Sequence, residues 1–284
     1  MSGRFTRLLV VIVTALALLA ACSMPRFVWS FADRAVMSRV DDWLALEGEQ
    51  RDHARARIDA WLEEDLRRDF MPQYADFLHR FADTAETDLS TDQVERLFAE
   101  ADALFAATAR SIIPLAADIL AELDAGQQEH LAERLARANE DYENDYLLDD
   151  PQARREALGE RFIQQVERWS GSLNAEQRRL IHERAAELPD TAGEWYRYRR
   201  FMEAELLGLL ADDVGAAAVA EHLECWWIER CGRSREQQAR TDELRRGLMA
   251  MVAELDVWLT PDQQERALER LRRRAGQIEH IAQR

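Results

Sequence analysis

The chain contains no lysine. All 37 of its basic residues are arginine, against 54 acidic residues, for a net charge of −17. The missing excess of positive charge argues against nucleic acid as a partner and against electrostatic docking on anionic lipid. Glycine and proline are scarce, at 11 and 6 in 284 residues. No stretch shows the period-two alternation of a half-buried strand. In their place stand Ala, Leu, Glu and Arg, which favour helix. The expected fold class is all-α, an irregular multi-helix bundle or array of about ten helices.

Recognisable chemistry is also missing. There is no serine-nucleophile motif, no glycine-rich phosphate loop and no paired carboxylates in a loop. The histidines (His53, His79, His130, His182, His222, His280) are scattered. His182-Glu183 lacks the second histidine of a His-Glu-x-x-His zinc site. His222 and Cys225 share a helical face, but two ligands do not make a site. The acidic run Glu140 to Asp145 lacks the glycine and distal glutamate of a calcium loop. No catalytic residue, metal or cofactor is assigned. The expectation is action by protein binding, chaperone-like, with a structural scaffold for a protein complex and an enzyme of unrecognised site as the two alternatives.

The amino terminus carries the sharpest signal. Arg4 and Arg7 precede an apolar run from Leu8 to Ala21, and the run closes as Leu19-Ala20-Ala21-Cys22. A charged start, a short apolar run and small residues before a cut site make a secretory signal, too short to span a bilayer with ease. With cysteine at the cut position, it resembles a bacterial lipoprotein signal. The resemblance implies a signal peptide at 1–21, a lipidated tether at 22–27 and a helical domain at 28–284. It implies acyl chains on Cys22, each buried CH₂ adding about 0.8 kcal/mol of membrane binding. Ser23 follows the cysteine, where many inner-membrane lipoproteins carry aspartate. The expected address is the outer membrane, facing the periplasm. The expected partners are the membrane, through Cys22, and an unidentified envelope protein or unfolded clients.

Helical periodicity runs through the rest. Val94, Leu97, Phe98, Ala101, Leu104, Phe105, Thr108 and Ile112 share one face, as do Leu268, Leu271, Ala275, Ile278 and Ile281. Pro72, Pro114, Pro151, Pro189 and Pro261 mark helix starts or kinks. Helices are expected over 28–46, 49–70, 72–87, 91–112, 114–123, 125–147, 151–171, 174–188, 190–210, 212–230, 234–258 and 261–283, some of them continuous. Asp149-Asp150-Pro151 is the candidate domain seam, with a single continuous bundle as the alternative.

One phrase recurs: Leu89-Ser90-Thr91-Asp92-Gln93, Leu123-Asp124-Ala125-Gly126-Gln127, Leu173-Asn174-Ala175-Glu176-Gln177 and Leu259-Thr260-Pro261-Asp262-Gln263, with a weaker copy at Leu46 to Gln50. Ser90, Asp124, Asn174 and Thr260 are good N-caps, and glutamine at the third helical position completes a capping box. The spacing drifts, so a regular solenoid is not expected. These Leu-Thr-x-x-Gln phrases also resemble those of Spy-like periplasmic chaperones, which implies the cradling of unfolded clients. The opening segment, with Asp41-Asp42-Trp43-Leu44, Asp59-Ala60-Trp61-Leu62 and Pro72-Gln73-Tyr74-Ala75-Asp76-Phe77-Leu78, and the closing segment around Trp258 to Gln263 resemble a family of bacterial envelope lipoproteins grouped as a domain of unknown function. That resemblance implies an address and no activity.

Two further features stand out. Cys225 and Cys231 are either a disulfide or two free thiols. In a continuous helix they would stand about 9 Å apart along the axis, beyond the roughly 4.4–6.8 Å between Cα atoms that a disulfide spans. Pairing therefore requires the helix to break before Cys231, which Gly232 allows. The segment Trp195-Tyr196-Arg197-Tyr198-Arg199-Arg200-Phe201 is the one basic-aromatic patch. Trp195, Tyr198 and Phe201 or Met202 are expected to face the core, with Arg197, Arg199 and Arg200 outward as ordinary ion-pairing residues or as a spot for docking an acidic partner.

Overall fold

A computed structural model describes residues 32–87 and 89–283. The signal segment, Cys22 and the tether lie outside them. Ten helices and no strand are present among the described residues. Helix α1 is Ala32–Leu44 and α3 is Thr91–Ala121. Between them, α2 comprises Gly48–Trp61, a π-helical Leu62–Phe70 and Met71–Thr84. Then come α4 (Ala125–Tyr146), α5 (Pro151–Ser170), α6 (Ala175–Ala186) and α7 (Ala192–Ala211). Helix α8 is Ala216–Glu224 continued as a π-helical Cys225–Glu229, α9 is Arg235–Trp258 and α10 is Pro261–Ala282.

Two expected breaks do not occur. The chain runs helically through Phe70 and Met71 into Pro72. A proline inside a helix collides with the carbonyl four residues earlier. Here the turns before it are widened into a π-helix, and the Met71 N–H reaches back to the Leu66 carbonyl. Pro114 likewise sits inside α3. Ile112, Ile113 and Leu115 around it are all buried, so the packed core outweighs the lost backbone bond. By length and composition α3 could cross a membrane, but it is a core helix, with Val94, Leu97, Leu104 and Ile119 buried.

The core comes in parts. The largest is built from α1, α2, α3, α4, α7 and α8, around Trp43, Trp61, Ile113, Leu131, Met202, Leu223 and Trp226. A second, around Ile163, Ile181, Leu188 and Met251, belongs to α5, α6 and α9. A third joins α10 to the last part of α2 through Met71, Ala75, Ile278 and Ile281. Asp149-Asp150-Pro151 lies where the chain leaves the first core for the second. Residues 192–229 then return to the first, so the two bodies interleave along the sequence.

The repeated phrase has a tertiary role. Five capping boxes form, at Ser90/Gln93, Asp124/Gln127, Asn174/Gln177, Ser234/Gln237 and Thr260/Gln263. In the weak copy Glu47 makes no cap bond. Four of the glutamines meet in pairs. Gln50 and Gln127 exchange amide bonds at 3.2 and 2.7 Å, joining the starts of α2 and α4. Gln177 and Gln263 do the same at 2.6 and 3.2 Å, joining α6 and α10. Each body is thus stitched from two helical hairpins at matching N-termini.

Candidate functional site

The junction of the two main cores leaves a cleft of about 390 Å³. Tyr142 and Tyr146 of α4, Leu158 of α5, Leu188, and Trp195 and Tyr198 of α7 give it an apolar, aromatic lining. Arg154, Arg155 and Arg161 of α5 line it, as do Arg230 and Arg233 of the α8–α9 connection. Only two carboxylates line it with them, Asp190 and Glu194. In an acidic protein this is a local reversal of charge.

Asp190 organises one wall. Its Oδ1 accepts from the Ala192 N–H at the start of α7, at 3.2 Å, and its Oδ2 accepts from Arg154 Nε at 2.6 Å. Its carbonyl accepts from Arg240 at 2.8 Å. Glu194 pairs with Arg240 at 3.1 Å. Both acids of the cleft are therefore already engaged by arginines.

The aromatic wall is a stack. Tyr142 lies between Tyr146 and Tyr196, with ring centroids 4.6 and 5.8 Å away. Its hydroxyl donates to the Ala192 carbonyl at 3.3 Å, and burial pushes its pKa well up. Arg161 covers the Tyr146 ring at 4.4 Å. Trp195 and Tyr198 tilt against one another at 5.7 Å. Tyr198 is only 5% exposed, and its hydroxyl has no hydrogen-bond partner among the described residues. Arg233 sits over the Tyr198 ring at 5.8 Å and donates to the Gln237 carbonyl and to Thr241 Oγ1. Burial first, and then the neighbouring Arg230, lower its pKa.

The basic-aromatic patch is therefore split. Trp195 and Tyr198 line the cleft. Arg197 and Arg200 are exposed, with Arg200 stacked on Tyr196 at 5.8 Å. Arg199 corrects the expectation that it faces outward, for it is 3% exposed. Its Nε donates to Glu203 at 2.7 Å, and Asn139 of α4 donates to the same carboxylate at 2.6 Å. Helix α7 packs against both α4 and α8, which buries a stripe wide enough to take in Arg199. Of Phe201 and Met202, either of which was expected to face the core, Met202 does so at 3% exposure and Phe201 is 52% exposed.

Cys225 and Cys231 are joined as a disulfide with Cα atoms 5.2 Å apart. The helix breaks before Cys231, as pairing requires, and it does so at Arg230. Arg230 adopts the left-handed conformation (φ 55), and the N–H of Cys231 reaches back to the Cys225 carbonyl at 3.1 Å. Gly232 follows with φ 76. The bridge thus pins the turn that carries Arg230 to the cleft.

Sequence reasoning missed most of the arginine rim. Arg154, Arg161, Arg230 and Arg233 come from separate segments and share no motif. The legible part was Trp195 and Tyr198 of the basic-aromatic patch, which line the cleft. No group of three or more His, Cys, Asp or Glu that could hold a metal occurs among the described residues.

Compared with curated proteins and with solved structures, the chain finds no match. A family model matches residues 42–223, which takes in most of the opening segment, the first core and half of the second, and stops short of the closing segment. The chain belongs to this family, DUF6279, a family of unknown function.

Proposed function

We propose that the protein is a lipid-anchored envelope protein that binds one defined protein partner through the aromatic, arginine-rimmed cleft. The amino-terminal pattern ending at Cys22 supports the anchor. The cleft carries the rest of the reading. Tyrosine, tryptophan and arginine are the side chains that contribute most when partners bury them. A chaperone for unfolded clients would need a broad apolar face. The large apolar side chains most exposed among the described residues are Phe201, Val214 and Val257, on three separate elements. A cleft of about 390 Å³ suits one or two residues of a partner.

Photo-crosslinking in intact cells tests this. A crosslinker at Arg155, on the rim, should give one discrete adduct, and one at His53, across the molecule, should not. A ladder of unrelated adducts from Arg155 would favour the chaperone reading, and no adduct at either position would sink both. The anchor is tested separately. Palmitate should label the protein, and Cys22→Ala should release it from membranes.

A further inference from the structure

We propose that the cleft recognises a carboxylate borne on an apolar or aromatic body, namely the carboxy-terminal residue of the partner chain, held by Tyr198, Arg230 and Arg233. This rests on the reading above, that the cleft is where a protein partner docks. Three observations lead to it.

The first is the Tyr198 hydroxyl. It is buried, lines the cleft and has no hydrogen-bond partner among the described residues. Buried polar groups are almost always satisfied, and leaving one unmade costs about 1–3 kcal/mol. An incoming acceptor oxygen would satisfy it.

The second is a pair of cations that no carboxylate closes into an ion pair among the described residues, although Asp242 and Glu194 lie near enough to Arg233 to oppose the fall in its pKa. Arg233 bonds only neutral oxygens, on Gln237 and Thr241. Arg230 stands close enough to depress its pKa, and neither forms an ion pair among the described residues. The two carboxylates of the cleft are taken by Arg154 and Arg240. Both guanidiniums also act on the Tyr198 phenol, opposing the rise in pKa that burial causes. A hydroxyl donor and two guanidiniums lining the same cleft can together receive an anion with two acceptor oxygens.

The third is the character of the walls. Trp195, Leu158, Leu188 and Leu244 offer contact to an apolar body and nothing to a hydrated one. Asp190 and Glu194 nearby disfavour a dianion such as phosphate. A monoanionic carboxylate attached to an apolar side chain meets both conditions, and a protein partner presents that group at its chain end.

Calorimetry on the detergent-solubilised full-length protein tests the assignment. The ligands are the tripeptide Ala-Ala-Phe with a free carboxylate, the same tripeptide as its carboxy-terminal amide, and N-acetylphenylalanine. The free acid should bind, and the amide should bind at least about tenfold more weakly. Arg233→Gln should lose about tenfold. Tyr198→Phe should lose several-fold without any fall in Tm, a split that a purely structural tyrosine would not give. Arg80→Gln, which pairs with Glu100 and does not line the cleft, should change nothing. Equal binding of acid and amide, or no binding of either, overturns the proposal. N-acetylphenylalanine matching the tripeptide would assign the site to a small free acid and overturn the chain-end claim. If the Arg155 crosslink persists while the acid fails to bind, this inference alone has failed. If the crosslink is also absent, the partner reading fails with it.

Discussion

Gln177 and Gln263 each use one side chain to cap their own helix and to join the other's. The Oε1 of each accepts from the N–H of its own N-cap residue, at 2.8 Å from Asn174 and 2.9 Å from Thr260. The Nε2 of each donates across to its partner's Oε1 and to the carbonyl that ends the opposite hairpin's first helix or loop, Trp258 at 2.7 Å and Ser172 at 2.9 Å. Glutamate would cap a helix equally well but has no N–H to donate. At Gln127, Gln177 and Gln263 the choice of glutamine over glutamate follows from this second duty, whereas Gln93 and Gln237 serve their caps.

Replacing Gln177 or Gln263 by glutamate should therefore destabilise the protein by about 1–3 kcal/mol although the cap bond can still form. The same change at Gln127 should cost less, because that pair is only part-buried. Urea denaturation of the three variants measures it. A Gln263→Glu protein as stable as the parent would refute the docking role.

The Arg199–Glu203 pair, with both side chains at 5% exposure or less, is a buried ion pair. Removing one partner strands a charge, and Glu203→Leu or Arg199→Met alone should cost about 3–5 kcal/mol. The double variant should cost much less than the sum of the two. A thermodynamic cycle from chemical denaturation checks this, and additive losses would contradict it.

The His222 ring Nε2–H donates to the Met202 carbonyl across 2.9 Å, which fixes the proton on Nε2. Burial lowers its pKa, while that bond and Glu205 oppose the shift. The unfolded chain then binds a proton more readily than the folded one. The stability this group contributes is complete above the ordinary histidine value of about 6.5 and is lost as pH falls from there through the lower folded value. Buried Glu203, with its pKa raised by burial, acts in the opposite sense. The comparison is therefore between the parent and His222→Gln, which share every carboxylate. Urea midpoints at pH 7.5 and 5.5 should fall further in the parent. Parallel pH profiles would exclude the effect.

The Cys225–Cys231 bridge closes a short loop, and Cys225→Ser/Cys231→Ser should cost about 2 kcal/mol on loop-closure grounds. It should also weaken binding of the peptide acid, because Arg230 loses the turn that positions it. Thermal melts and calorimetry read the two effects. Mass mapping of alkylated, denatured, unreduced protein should find neither thiol labelled, and label on both would end the argument.

Helix content was legible because its causes are local. Scarce glycine and proline, one-faced apolar periodicity and caps followed by glutamine act within one or two turns. Ser90, Asp124, Asn174 and Thr260 all cap as their neighbours dictate. The breaks at Pro72 and Pro114 were misread for the complementary reason. Proline's local cost is real, but a π-helical turn relieves it in one case and burial outweighs it in the other.

By itself, then, the sequence determined an acidic, all-helical chain with its helix starts in place, since those features depend on residues a few positions apart. Only the tertiary structure decided which glutamines pair, that Arg199 turns inward to Glu203, and that Arg154, Arg230 and Arg233 gather around Tyr198. Those contacts join segments tens of residues apart in the chain. They are set by how whole helices pack, and no local pattern encodes that.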